Sequence, residues 1–343
     1  MDRRTIDFPF QYHKRNIANY VLNLQVFTFM TTPIILITEP IAQEPKTWLS
    51  GHGTVVEMGT DHPEFASTLA NAEGLIVRTY TIVDQALLDQ APMLKVIARA
   101  GVGLDNIDLN ACTARGIRVV NAPHANAMAV VEYMISMLLN TLRPIQSITD
   151  PQDLNNWHQL REDAITPRSI VGTSLGIIGL GYIGSRVARA ASGLGMQVHH
   201  NDLRRIPEGQ SQGSTHQALE TLLSQSETIS IHVDGRAENK NLINDQAFAF
   251  MRSDVVLINA SRGFVVDPLA AARFAESNPD ATLILDVHHP EPIQSDSPLL
   301  VLPNVILTPH IAAATKQAKT EMSWVVRDVV AVLTNQDPAF PAN

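Results

Sequence analysis

Four ionisable residues in the second half of the chain each stand just beyond a run of apolar residues: Arg262 after VLINA, Asp286 and Glu291 around LILDV, and His310 after VILT. Such runs read as buried parallel strands, and in open α/β sheets ligands bind at the carboxyl ends of the strands. Oxidising a 2-hydroxy acid requires a base for the hydroxyl proton, a fixed cation for the carboxylate, and an orienting group that keeps the base in one tautomer. His310, Arg262 and Glu291 have the types for those three roles. Each also has a plainer explanation: a capped turn for Arg262 before Gly263, a solvated loop for Glu291 between two prolines, and a satisfied core histidine for His310 after Pro309. His288 and His289 beside Glu291 compete for the role of base. No carboxylate stands at metal-ligand spacing from them, so no metal is expected.

A second motif supplies a place for a dinucleotide. Leu175 to Ile178 read as a strand that runs into Gly179-Leu180-Gly181-Tyr182-Ile183-Gly184, and SRVARAASGLG then reads as a helix. Gly179 permits the tight turn, Gly181 lets the backbone approach a pyrophosphate, and Gly184 allows close helix–strand packing, while the helix N-terminus offers amide donors. Asp202 ends the next strand, QVHHND, about 20 residues further on, where a carboxylate accepts from the ribose hydroxyls and repels a 2′-phosphate. NAD is therefore expected, with Arg204 and Arg205 as the features that would favour NADP.

These residues need a scaffold, and the pattern is that of an α/β protein. Strands are expected near 34–38, 54–58, 74–78, 95–99 and 118–120, and a second series near 175–178, 197–201, 228–233, 255–260, 282–287 and 305–308. A Pro-, Asp- and Asn-rich loop, 144–172, separates the two series. One long apolar helix, 126–142, connects them, with Asn126 as its expected cap and Pro144 as its stop. A final helix, 314–334, is expected to return to the first unit.

Composition narrows the functional classes. At 343 residues the chain exceeds one hydrophobic core and suggests two domains. Its 45% hydrophobic content excludes disorder for most of the length, and the net charge of −9 opposes nucleic acid and anionic membrane surfaces as partners. The single cysteine, Cys112, excludes an intrachain disulfide framework and fits a reducing, cytoplasmic compartment. The first thirty residues carry Arg3, Arg4, Lys14 and Arg15 and then an apolar run interrupted by Asn16, Asn19, Asn23 and Gln25, which argues against a membrane span. The expectation is that the natural chain begins at Met30 and that residues 1–30 are an extension without a packing role.

The segments ARAGVGLDNIDLNAC (98–112), NAPHANAMAVVEY (121–133), LGIIGLGYIG (175–184), LINASRGFVVD (257–267), LDVHHPEP (285–292) and LTPHIAAAT (307–315) together resemble the D-isomer-specific 2-hydroxyacid dehydrogenases, in particular those like phosphoglycerate dehydrogenase. The resemblance runs in order over residues 34–334. It implies two Rossmann-like parallel-sheet domains, with an NAD-binding domain (131–310) inserted into a split catalytic domain (31–130 plus 311–343) and the active site between them. It implies catalytic roles for Arg262, Glu291 and His310. It also implies cofactor contacts at Gly179, Gly181, Tyr182, Ile183, Gly184, Asp202, Val233 and Ala260, and at Asp286, whose carboxylate would hold the nicotinamide amide. The substrate carboxylate would meet the backbone at Val102 and Gly103, and Arg78 would offer a cation to a distal anionic group. Two features depart from the family pattern: HVDGRAEN (232–239) replaces a His-x-Pro-Leu-Thr stretch, and His124 replaces a glycine or asparagine. The activity implied is NAD-dependent interconversion of a (2R)-hydroxy acid and its 2-oxo acid in a homodimer, with 3-phosphoglycerate first and glyoxylate or hydroxypyruvate as close alternatives. A non-catalytic NAD(H)-sensing, corepressor-like protein is the alternative of a different class, and the acidic balance weighs against it.

Overall fold

Two all-parallel sheets make up the computed structural model, which describes residues 32–145, 147–166 and 169–343. The expected extension, 1–30, lies outside the described residues. The first sheet contains β1 (Ile34–Ile37), β2 (Thr54–Glu57), β3 (Gly74–Val77), β4 (Val96–Arg99) and β5 (Arg118–Asn121) in the order β2-β1-β3-β4-β5. Its crossovers carry α1 (Gln43–Ser50), α2 (Phe65–Leu69), α3 (Gln85–Asp89) and α4 (Leu109–Ala114). The chain then passes through α5 (Ala127–Leu142) and α6 (Leu154–Asp163).

The second sheet opens with β6 (Ser174–Ile178), α7 (Tyr182–Gly193), β7 (Gln197–Asn201), β8 (Thr215–His216) and α8 (Leu219–Gln225). It continues with β9 (Thr228–Ile231), α9 (Asp245–Phe250), β10 (Val256–Asn259), α10 (Pro268–Ser277), β11 (Thr282–Leu285) and β12 (Val305–Leu307). Its order is β12-β11-β10-β9-β6-β7-β8. Strands such as β3, β9 and β10 are buried at every position, which is why they read as unbroken apolar runs rather than alternating ones. Finally α11 (Lys316–Ser323) and α12 (Val326–Leu333) return to the first unit, where Ala318, Met322, Val326 and Val329 join Ile35, Ile76 and Val96 in one core.

The two-sheet α/β expectation holds, with three local differences. The stretch 144–172 is not all loop: Asp153 accepts the Asn156 N–H at 2.8 Å, and this cap opens α6 within it. The last helix is two helices, because the chain turns at Trp324, where ψ is near zero, and so directs α12 against the sheet while α11 packs on α1 and α5. Asn126 precedes α5 but does not cap it. Its backbone is not extended as a cap requires, and its Oδ1 is buried without a partner. Ala129 on α5 packs with the first core, and Val130, Val131, Met134 and Leu138 pack with the second, so this one helix ties the two units together.

Candidate active site

The glycine loop has the geometry of an anion cradle. Gly179 has φ +91°, and a Cβ there would stand 2.7 Å from the His232 carbonyl oxygen, while a Cβ on Gly184 would overlap the Gly179 carbonyl oxygen. Gly181 caps α7 and faces open space, so a pyrophosphate can approach the first amides of that helix with nothing in the way. These residues fit a dinucleotide. Ile183 and Ala260 pack against the core on the α5 and α7 side of the sheet, and Val233, just past β9, packs against the core on its other face. Tyr182 is exposed. It stacks on His124 from the first unit, with ring centroids 4.0 Å apart, and carries the Arg186 guanidinium on its ring at 3.4 Å.

Asp202 follows β7 and is already well bonded. It accepts the Leu180 N–H at 2.8 Å and, from Arg204, the backbone N–H at 2.8 Å and Nε at 3.0 Å. Burial opposes ionisation of this carboxyl, but the Arg204 and Leu180 hydrogen bonds outweigh it and hold its pKa below the usual carboxylate range. Beside it opens a cavity of about 430 Å³ lined by His200, Arg204, Arg205 and His216.

The three expected catalytic residues follow β10, β11 and β12, at the same carboxyl ends of the parallel strands as the glycine loop. His310 Nδ1 donates to Glu291 Oε2 at 3.0 Å, and Glu291 Oε1 accepts the His288 backbone N–H at 2.9 Å. With its proton on Nδ1, His310 presents Nε2 as an acceptor. Desolvation raises the Glu291 pKa, yet the bonds from His310 and His288 dominate and lower it. His310 itself sits at φ +55°, an uncommon backbone conformation for a residue with a side chain, held by its N–H donating to the Asp286 carbonyl at 2.8 Å. The competing His288 donates through Nε2 to the Thr308 carbonyl at 2.9 Å, so that nitrogen carries a proton and is not free to act as a base. Arg262 precedes Gly263, where a Cβ would overlap the His288 backbone, so only glycine lets the arginine's turn pack on the segment that carries Glu291.

Asp286 is fully buried, and its carboxylate accepts Thr308 Oγ1 at 2.6 Å and the N–H groups of Ile311 and Ala312 at 2.8 Å each. These bonds fasten the segment that carries His310. Tyr133 on α5 completes this support by donating to Thr308 Oγ1 at 2.7 Å.

From the first unit, Val102 and Gly103 form the facing wall. The Val102 carbonyl accepts Asn121 Nδ2 at 2.7 Å, and Gly103 lies directly under Arg262 Nη2. Arg78 is half-buried in the next loop, its backbone held by Glu39. A cation that the residue types did not single out is Arg99, at the end of β4. Its Nε is buried without a partner, and burial together with Arg262 and Arg78 pushes its pKa down to about 10, which leaves it charged at neutral pH. The sequence signal was the RAG at 99–101: the guanidinium occupies the space that a Gly101 side chain would fill. Among the described residues no group of three or more metal-ligating side chains is present, and no helix is long and apolar enough to cross a membrane.

A dinucleotide cradle at one strand end and a His–Glu–Arg group at another define a chain of the hydroxyacid dehydrogenase class. Residues 135–312 match the model for the D-isomer specific 2-hydroxyacid dehydrogenase NAD binding domain, and the chain belongs to that family. It is 36% identical over 297 residues to a D-3-phosphoglycerate dehydrogenase of Archaeoglobus fulgidus, covering 86% of this chain but only 56% of that relative, so it spans little more than half the relative's length. Among solved structures it resembles an Aquifex aeolicus D-lactate dehydrogenase complexed with NAD and lactic acid, with TM-score 0.74, 27% identity, and 88% and 96% of the two chains covered. It also resembles an NADPH-dependent glyoxylate/hydroxypyruvate reductase of Sinorhizobium meliloti in complex with NADP and malonate, with TM-score 0.75, 28% identity, and 91% and 97% covered.

Proposed function

We propose that this protein is an NAD-dependent oxidoreductase that interconverts a (2R)-hydroxy acid and its 2-oxo acid, with residues 31–130 plus 311–343 as the substrate unit and 131–310 as the cofactor unit. The observation that supports this reading is the 3.0 Å His310–Glu291 pair, with the turn after Arg262 packed on the same segment and the Arg262 guanidinium against Gly103. In the oxidative direction His310 Nε2 takes the hydroxyl proton, Glu291 stabilises the imidazolium that results, and Arg262 pairs with the carboxylate and polarises the developing carbonyl. Bound NAD supplies the acceptor for the hydride that leaves C2. Gly179, Gly181, Tyr182, Ile183 and Gly184 would hold its pyrophosphate. Ionised Asp202 favours NAD, and the Arg204 and Arg205 side of the adjoining cavity is the specific feature that favours NADP.

The substrate class follows from charge. Burial chiefly lowers the Arg99 pKa, and the charges of Arg262 and Arg78 lower it further, so an acid with a second anionic group would relieve the excess positive charge around Arg99. This supports a phosphorylated hydroxy acid such as 3-phosphoglycerate over glyoxylate. A second copy of the chain is the proposed partner. In support, α6 buries none of its residues in the single chain and leaves Leu154 and Trp157 exposed. The deciding experiment follows NADH oxidation with 3-phosphohydroxypyruvate, hydroxypyruvate, glyoxylate, oxaloacetate and 2-oxoglutarate. Turnover of one or more upholds the enzyme, and tight NADH binding without turnover of any favours the sensor.

A further inference from the structure

Resting on the hydroxy-acid reading above, we propose that Asp105 is the positioning residue for Arg262, reaching across the cleft to aim its guanidinium at the substrate. Arg262 Nε donates to Asp105 Oδ2 at 2.7 Å, and Nη1 donates to its neighbour's carbonyl at Ser261 at 2.8 Å. Two bonds in the guanidinium plane leave it one orientation, with Nη2 over Gly103, where a Cβ would overlap it. That is the edge turned toward the wall where the substrate carboxylate would lie.

A second, independent observation comes from the other side of the carboxylate. A Cβ on Gly235 would overlap Asp105 Oδ1, so the second unit has a gap that only this glycine leaves open for the aspartate. Gly235 belongs to the stretch HVDGRAEN, where the chain departs from its family's pattern. Asp105 is therefore received by the second unit at both oxygens, one on Arg262 and one in the Gly235 gap. It also supplies negative charge beside Arg99, in the midst of a cationic cluster. Asp105 lies in the loop after β4 and Arg262 in the loop after β10, so this contact joins the two units at the site.

The test uses the full chain and the 2-oxo acid that the wild type turns over best. Asp105→Asn keeps shape and removes charge, and the expected result is a fall in kcat of at least about tenfold with NADH affinity, read by fluorescence, changed less than about twofold. Arg262→Lys should then cost much less in the Asp105→Asn background than in the wild type, since a fork already misaimed has less to lose. Asp105→Ala serves as the second variant. Wild-type kcat and KM in both Asp105 variants overturn the proposal, as does an NADH affinity that falls in step with kcat or an equal cost of Arg262→Lys in the two backgrounds. If the wild type reduces no 2-oxo acid, the functional reading fails and this one falls with it; active wild type with indifferent Asp105 variants removes this one alone.

Discussion

His310 and Glu291 are joined by a 3.0 Å hydrogen bond, and the glutamate's second oxygen is fixed by the His288 backbone N–H at 2.9 Å. The carboxylate is thus anchored to its own loop before it meets the histidine, so it can set the ring's orientation and not merely follow it.

On that basis His310→Ala should lower kcat by about 10² to 10⁴, the span usual for a lost general base, while NADH binding changes little. Glu291→Gln should retain more turnover than His310→Ala. Steady-state kinetics and NADH fluorescence titration on the two variants check this, and near-normal rates in His310→Ala would remove the histidine from the reaction.

Glu39 accepts the backbone N–H groups of Arg78, Thr79, Tyr80 and Thr81 at 2.9 to 3.1 Å. Burial raises its pKa, but the four amides outweigh this and lower it. A carboxylate whose pKa is depressed on folding stabilises the protein above the unfolded value, and the gain is lost as pH falls through the folded value. Glu39→Gln should therefore destabilise by about 1–3 kcal/mol at neutral pH, with the difference from wild type fading in acid. Thermal melts across that pH range measure it, and a pH-independent difference contradicts it.

Arg78→Ala should raise KM for a phosphorylated 2-oxo acid about tenfold or more and leave KM for glyoxylate within about twofold, since only the larger acid carries a second anion to that side of the cleft. Equal effects on the two substrates would mark Arg78 as a loop residue without a substrate role.

Asp202→Ala should weaken NADH and release Arg204 from its ion pair, so the NADPH-to-NADH ratio of kcat/KM should rise by about tenfold. Adding Arg204→Ala and Arg205→Ala should take that gain away. An unchanged ratio in Asp202→Ala would move cofactor choice elsewhere.

The sequence alone determined the two parallel sheets, because strands buried on both faces must be apolar throughout, and it located the glycine loop and the residues at the strand ends. It also named Arg262, Glu291 and His310, whose motifs are local. Partnership was decided by tertiary structure. Nothing in local spacing says that Asp286 turns inward to hold Thr308 and the 311–312 amides, or that His288 spends Nε2 on a carbonyl. Nor does it say that Arg99 is buried within reach of the charges of Arg262 and Arg78, since hydration depends on what other segments cover the group. Asp105 and Arg262 are 157 residues apart and come from different sheets. Periodicity and capping act over a few residues, whereas the aim of a side chain is set by whichever distant backbone closes over it.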